Sequence, residues 1–311
     1  MRTPVIDARY VAVTYTSGPL WNRRYTQAVK AMTFELYSGE TLGLVGESGS
    51  GKTTLARVCL GLVPATHGAV LFERQLIGPR NKPPPGKLAV VMQHPEWSLN
   101  PRLRVGVAVA EPLAILGGTT RRERQARAVR ALEMVGLDAS LAVRYPHELS
   151  GGQRQRVSIA RALITEPRFI VFDEAVSALD VSVQTQVLNV IRDLQEQHAF
   201  AALFISHDLA ATRYVSHRMA VMYAGSLMEI GPTARFYASP RHPYSRALSI
   251  AVDPLRYQSF ALHGGAEDSA ADGCPLSLRC PLSTDRCRTE APEPDDADTT
   301  CHRADELARA G

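Results

Sequence analysis

Residues 46–53, Gly46-Glu47-Ser48-Gly49-Ser50-Gly51-Lys52-Thr53, fit the pattern G-x-x-x-x-G-K-[ST]. The glycines let successive backbone N–H groups turn inward and cradle anionic oxygens. A helix that starts here adds partial positive charge at its N-terminus. Lys52 is expected to reach the β- and γ-phosphates of a nucleoside triphosphate, and the Thr53 hydroxyl to ligate Mg²⁺. The expected contact surface runs on to Thr54. A second constellation is Phe169-Ile170-Val171-Phe172-Asp173-Glu174, an apolar run that ends in two carboxylates. Asp173 would hold Mg²⁺ through water. Glu174, one residue further, stands where a general base could polarise an attacking water.

A third constellation lies near the C-terminus. Cys274, Cys280, Cys287 and Cys301 follow the spacing C-x5-C-x6-C-x13-C in a segment rich in Pro, Asp and Ala, with His302 adjacent. In a reducing compartment such a group points to metal rather than disulfides. The spacing is wider than common zinc pairs. Four thiolates suit an iron–sulfur cluster or zinc equally. Reduced thiols without a ligand remain the plain alternative. The fifth cysteine, Cys59, reads as a small buried hydrophobe.

Elements must hold these groups in place. Thr41-Leu42-Gly43-Leu44-Val45 is a short apolar strand leading into the glycine loop, and Leu55 to Leu62 reads as the helix that follows. Core strands are expected at 41–45, 88–93, 168–172 and 201–206, with helices between them. That makes a parallel sheet flanked by helices. Residues 5–40 carry short alternating runs (Val11, Val13, Tyr15; Met32, Phe34, Leu36) of antiparallel type. Residues 79–86 form a Pro-rich loop, and about 95–148 a mostly helical insert. Within that insert Arg121 to Leu137 reads as a helix whose start is crowded by Arg121, Arg122, Arg124 and Arg127. Those arginines are either a solvated face or a contact for lipid headgroups or a membrane subunit. Gly225 to Gly231 reads as a late hairpin. No internal repeat is present.

Gln93, Leu149-Ser150-Gly151-Gly152-Gln153, Asp173, Glu174, Ser177-Ala178-Leu179-Asp180 and His207 stand in the order and approximate spacing of ATP-binding-cassette (ABC) ATPases. The chain resembles that family. The resemblance implies an α/β P-loop NTPase fold: a parallel core sheet, an N-terminal antiparallel β subdomain and a helical signature subdomain. It implies that Gln93 touches Mg²⁺ and the attacking water. It implies that Ser150, Gly151, Gly152 and Gln153 meet the γ-phosphate held by the opposite subunit, with Asp180 at the dimer interface and His207 on the γ-phosphate. Gly151-Gly152 opening a helix would aim free N–H groups at an anion. Tyr15 is a candidate for stacking on adenine, with Tyr25 as its rival; either could equally be a half-buried strand residue.

The stretch from Asp173 to Gln184, Ser98-Leu99-Asn100-Pro101-Arg102 and His242-Pro243-Tyr244-Ser245-Arg246-Ala247-Leu248 look like the ATPase subunits of oligopeptide, dipeptide or nickel importers. That subfamily has a similar cysteine-rich tail associated with a [4Fe-4S] cluster. The resemblance thus implies an ATPase domain over 1–255, its helical subdomain at about 95–150, and a cysteine-rich appendage over 256–311. Ala175 stands where a proline is usual in the family, and His94, Glu96 and Trp97 depart from its pattern beside the expected docking groove. The implied partners are two transmembrane permease subunits, a second cassette (a paralogue or a second copy), and an extracytoplasmic solute-binding protein.

Composition agrees with this picture. The chain has 311 residues, 45% hydrophobic and 21% charged, enough for one large core. A net charge of +4 is too mild to argue for a nucleic-acid groove. No apolar run reaches the ~18 residues of a membrane span, and the first residues lack the apolar stretch of a signal peptide. The expected place is peripheral, on the cytoplasmic face of the inner membrane, where ATP is available. Rival readings are a soluble ABC ATPase acting on DNA or ribosomes, and a metalloprotein whose ATPase only regulates it.

Overall fold

The computed structural model describes residues 2–19, 21–94, 98–250, 262–263 and 273–309. The strands are β1 (Ile6–Ser17), β2 (Arg24–Leu36), β3 (Thr41–Val45), β4 (His67–Phe72), β5 (Gln75–Ile77), β6 (Leu88–Met92), β7 (Phe169–Asp173), β8 (Ala201–Ile205), β9 (Arg218–Tyr223) and β10 (Ser226–Pro232). The helices of the main body are α1 (Lys52–Cys59), α2 (Val105–Leu116), α3 (Arg121–Met134), α4 (Gly151–Leu163), α5 (Val181–His198), α6 (Leu209–Val215), α7 (Thr233–Ala238) and α8 (Pro243–Ile250). Two short helices, α9 (Asp285–Thr289) and α10 (Ala304–Arg309), lie in the tail.

Six strands form one sheet in the order β10-β9-β3-β8-β7-β6, and all pairs from β9 to β6 are parallel. The middle strands read Thr-Leu-Gly-Leu-Val and Ala-Ala-Leu-Phe-Ile with every residue buried. Continuous apolar strands of this kind need cover on both faces. One face packs on a cluster containing Phe172, Phe204, Val187 and Ile191, the other on a cluster containing Leu44, Leu55, Cys59 and Leu203. Phe172 and Phe204 meet with ring centroids 6.2 Å apart. Each such side chain contributes about 1.5–3 kcal/mol by leaving water.

The register decides where the chemistry goes. Leu44 pairs with Ile205, Ile205 with Asp173, and Asp173 with Met92. The glycine loop after Val45, the Asp173-Glu174 pair, His207 and Gln93 therefore leave the sheet at one end. In open parallel sheets that carboxyl end is where ligands bind.

The antiparallel sheet runs β2-β1-β4-β5. β1 does not alternate cleanly. Its register shifts after Ala8, and Tyr10 adopts φ 49, as a bulge requires. β4 and β5 turn through Glu73 (φ 46) and Arg74 (φ 70), left-handed positions filled without glycine. The usual hairpin signal is therefore missing from the sequence. The helix expected from Leu55 to Leu62 begins earlier, at Lys52, because Gly51 (φ 100) turns the chain directly into it. It ends at Cys59 with Leu60 as cap.

The helical insert is α2, α3 and two 3-10 turns at 139–143 and 146–148. Of the four arginines at the start of α3, Arg124 donates to the Thr119 carbonyl, and Arg127 to the Ile164 carbonyl and Glu166. Those two are tied back to the protein, while Arg121 and Arg122 are exposed. The tail packs on the main body. Cys274, Leu276 and Cys287 share a core with Val221, Tyr223, Met228, Phe236 and Tyr244, and Thr299 bridges to Glu229 of β10. The expected boundary at 255/256 lies outside the described residues, as do Glu96 and Trp97. Among the described residues, no helix is long and apolar enough to cross a membrane.

Candidate functional site

The glycine loop is shaped by backbone crowding. Gly46 (φ 150) would place a Cβ 2.0 Å from the Met222 carbonyl oxygen, and Gly51 (φ 100) one 2.0 Å from that of Ala28. Only glycine fits either position. Lys52 curls back over the loop. Its Nζ donates to the carbonyls of Gly46 (2.8 Å) and Glu47 (2.7 Å) and to Ser50 Oγ (3.3 Å). Burial lowers its pKa, while Glu174, Asp173 and Glu47 act to raise it. Ser48 and Gly49 (φ 80) sit at the exposed crown of the loop.

Thr53 Oγ1 donates to Asp173 Oδ1 at 3.4 Å. Burial pushes the Asp173 carboxyl upward, against the pull of Thr53, Arg57 and Lys52. A hydroxyl beside a desolvated carboxylate is a donor set suited to a hard cation such as Mg²⁺. Glu174 adopts φ 53, and its N–H donates to the Ile205 carbonyl at 2.9 Å. Its Oε1 lies 3.6 Å from His207 Nδ1. Gln93 follows Met92, whose carbonyl accepts from Gln155 of α4 at 3.4 Å. The register of β6 on β7 sets Gln93 beside the Asp173-Glu174 end. Lys52, Thr53, Asp173, Glu174 and His207 are thus brought together, with Gln93 at the rim.

Tyr15 Oη donates to Thr54 Oγ1 at 3.5 Å, which puts this ring at the loop's flank. Tyr25 of β2 pairs with Thr16 of β1 and is more exposed. Ser150 caps α4. Its Oγ accepts from the Gln153 N–H, while Gln153 Oε1 accepts from the Ser150 N–H, a complete capping box. Gly152 serves packing as well: a Cβ there would meet Val183 Cγ1 at 2.3 Å. α4 packs on α2, α3, α5 and β6 in one core cluster, whereas α1 packs on β1, β2, β7 and β8 in the cluster on the other face of the sheet. Signature and glycine loop therefore occupy different parts of the chain's surface. Asp180 caps α5 from an exposed position without a side-chain cap bond.

The four tail cysteines are free thiols that converge on one cavity of about 10 Å³. Burial pushes Cys274, Cys280 and Cys301 up to about 11. Among the described residues, no group of three or more His, Cys, Asp or Glu is arranged to hold a metal ion. The expected iron–sulfur or zinc site thus has its four donor types around one cavity, but not in an arrangement that would hold a metal ion.

Sequence reasoning overlooked two partners of Glu47. Its N–H donates to Tyr244 Oη at 3.0 Å, and its carboxylate accepts from Arg279. The signal available was the His242-Pro243-Tyr244 stretch, but no spacing rule connects it to residue 47. His242 is wholly buried, which drives its imidazole pKa down to about 3. Its neutral Nδ1 accepts from the Tyr244 N–H and so seats that tyrosine.

The family model described as ABC transporter matches residues 29–177. That described as oligopeptide/dipeptide transporter, C-terminal region, matches residues 228–287. A protein of Brucella abortus (strain 2308) named as a peptide import ATP-binding protein is 46% identical over 297 residues, spanning 91% of this chain and 89% of its own. A peptide ABC transporter ATP-binding protein of Sinorhizobium fredii (strain NBRC 101917 / NGR234) is 44% identical over 290 residues, spanning 89% and 82%. Among solved structures, the cassette MJ0796, dimeric and bound to ADP and Pi after hydrolysis, is similar with TM-score 0.63 and 26% identity, over 73% of this chain and 98% of that one. The fold is also that of cbiO1 from Clostridium perfringens, with TM-score 0.67 and 23% identity, over 76% and 92%. The glycine loop, the paired carboxylates and the signature helix, together with relatives at this identity over nearly the whole chain, make the chain a member of the ABC transporter family, as one of its ATP-binding cassettes.

Proposed function

We propose that this chain is the ATP-hydrolysing subunit of an ABC importer for peptides of the oligopeptide or dipeptide class. The observation that carries the reading is the convergence of Lys52, Thr53, Asp173, Glu174 and His207 at the carboxyl ends of β3, β7 and β8. The printed names of the relatives supply the cargo class. The same machinery importing nickel or another small solute is the alternative.

In this reading the loop from Gly46 to Thr54 cradles the phosphates. Lys52 leaves its three loop oxygens and turns to the β- and γ-phosphates. Thr53 and Asp173 would hold Mg²⁺, which would supply positive charge to offset that of the phosphates. Glu174 takes a proton from the attacking water. Its left-handed backbone and N–H bond to Ile205 hold the residue at the end of β7, and its carboxylate 3.6 Å from His207 supports this role. His207 and Lys52 stabilise charge on the transferred group, and Gln93 orients the water. Tyr15 supports the adenine. Ser150, Gly151, Gly152 and Gln153 act on the nucleotide of a second cassette, with Asp180 at the interface. The separation of α4 from α1 in one chain and the dimeric state of MJ0796 support that two-chain arrangement. The second cassette is a paralogue or another copy. Two membrane-spanning permease subunits and an extracytoplasmic solute-binding protein complete the system, with this chain peripheral on the cytoplasmic face. We also assign Cys274, Cys280, Cys287 and Cys301 as the thiol set for one [4Fe-4S] cluster or one zinc ion. Their convergence on a single cavity supports this, and metal binding would drive off the thiol protons.

The test is affinity purification from gently solubilised membranes, with the co-purifying proteins identified. Two multispanning permeases, a second cassette and a peptide-loaded binding protein are expected. Recovery only with ribosomes or nucleic acid would overturn transport while leaving the ATPase standing. Iron, sulfide and zinc assays on the same sample decide the tail.

A further inference from the structure

Glu47 is the only acidic residue in a loop shaped to hold polyphosphate. A carboxylate there repels the ligand unless it is neutralised and turned aside. Every polar part of Glu47 is held. Its N–H donates to Tyr244 Oη at 3.0 Å, and its carbonyl accepts from Lys52 at 2.7 Å. Its two carboxylate oxygens accept from Arg279 Nη1 at 3.0 and 3.1 Å.

Arg279 comes from the cysteine-bearing tail, one residue before Cys280 and 232 positions from Glu47. Its side chain is 17% exposed, against 42% for Glu47. Its place is fixed independently of Glu47. Nη1 also donates to Tyr223 Oη at 3.2 Å, and the guanidinium lies 5.6 Å from the Tyr223 ring centroid. Tyr223 in turn packs on Tyr244, with centroids 4.8 Å apart. The tail thus presents a pre-positioned cation to the first variable position of the phosphate loop. Such a cation needs little reorganisation when nucleotide arrives.

We propose that Arg279 is a positioning residue of the ATP site: it neutralises Glu47 and holds it away from the phosphates, so that the folded tail sets nucleotide affinity. This rests on the reading of the loop as an ATP site. The rival is that Arg279 only glues the tail to the cassette.

The test is equilibrium titration of the full-length chain with fluorescent mant-ATP and Mg²⁺. Arg279→Ala is expected to weaken binding about tenfold, the order of a lost charged hydrogen bond discounted for the exposure of Glu47. Arg279→Lys keeps the charge and should stay within about threefold of the parent chain. The deciding variant is the double substitution Arg279→Ala with Glu47→Gln. Removing the uncompensated carboxylate should restore most of the lost affinity. A purely structural Arg279 would be rescued by no change at Glu47. Unchanged affinity in Arg279→Ala, or equal weakening in the double variant, overturns the proposal. Should Arg279→Ala not fold, Arg279→Gln gives the same comparison. Failure of the parent chain to bind mant-ATP would overturn the ATP reading itself, and this proposal with it.

Discussion

Gly152→Ala separates two demands on the signature helix. The added Cβ would lie 2.3 Å from Val183 Cγ1, where carbon atoms prefer about 3.5–4.0 Å. Val183 is β-branched and sits on α5, so it has little rotamer freedom with which to retreat. Overpacking of this kind costs about 1–3 kcal/mol. For a chain of this size that lowers the melting temperature by about 2–4 °C per kcal/mol. Val183→Ala removes the atom in the way. Val183 is only half-buried, so this substitution alone should cost little. The double variant should recover most of the lost stability, a coupling of about 1–3 kcal/mol in a double-mutant cycle. Thermal unfolding of the nucleotide-free chain is the assay. An undiminished melting temperature in Gly152→Ala, or additive losses in the pair, would refute the packing argument. ATP hydrolysis by the assembled transporter is the second readout. A double variant that is stable but inactive would leave the backbone of Gly152 with a role beyond packing.

Glu174→Gln should lower turnover by about 10²–10⁴, the range for a lost general base, and trap an ATP-bound dimer visible by size-exclusion chromatography; normal steady-state hydrolysis would reject Glu174 as the base. Lys52→Ala should abolish binding of mant-ATP, because the loop loses its one cation, and unchanged affinity would reject the loop assignment. The tail thiols predict a pH effect on the chelator-treated chain. Burial raises Cys274, Cys280 and Cys301 from 9.0 to about 11, so the folded state keeps protons that the unfolded state releases. Their contribution is intact below pH 9.0 and is lost as pH climbs through about 11. Urea midpoints across that window should fall, and a rise would contradict the burial of the thiols.

Much of the site was legible because it is local. The residues from Gly46 to Thr54 carry their own geometry: positive-φ glycines, then a helix that starts at Lys52. Asp173 and Glu174 end an apolar strand, and Ser150 with Gln153 caps a helix three residues apart. Patterns of that kind need only neighbours in the chain. The continuous burial of β3 and β8 likewise follows from their composition.

Other features were settled only in three dimensions. The strand order β10-β9-β3-β8-β7-β6 and its register decided that Gln93, Asp173, Glu174 and His207 leave the sheet at the same end. The turn at Glu73-Arg74 is imposed by the pairing of β4 with β5, against local preference. The four cysteines converge on one small cavity only because the tail packs on the β9–β10 hairpin. Gly152 faces Val183, and Arg279 reaches Glu47 across 232 positions. No spacing in the chain encodes such meetings, because they depend on how separate elements fill one volume. The sequence determined the candidate groups and the strands and helices that bear them. Tertiary packing decided which distant side chains hold those groups in place.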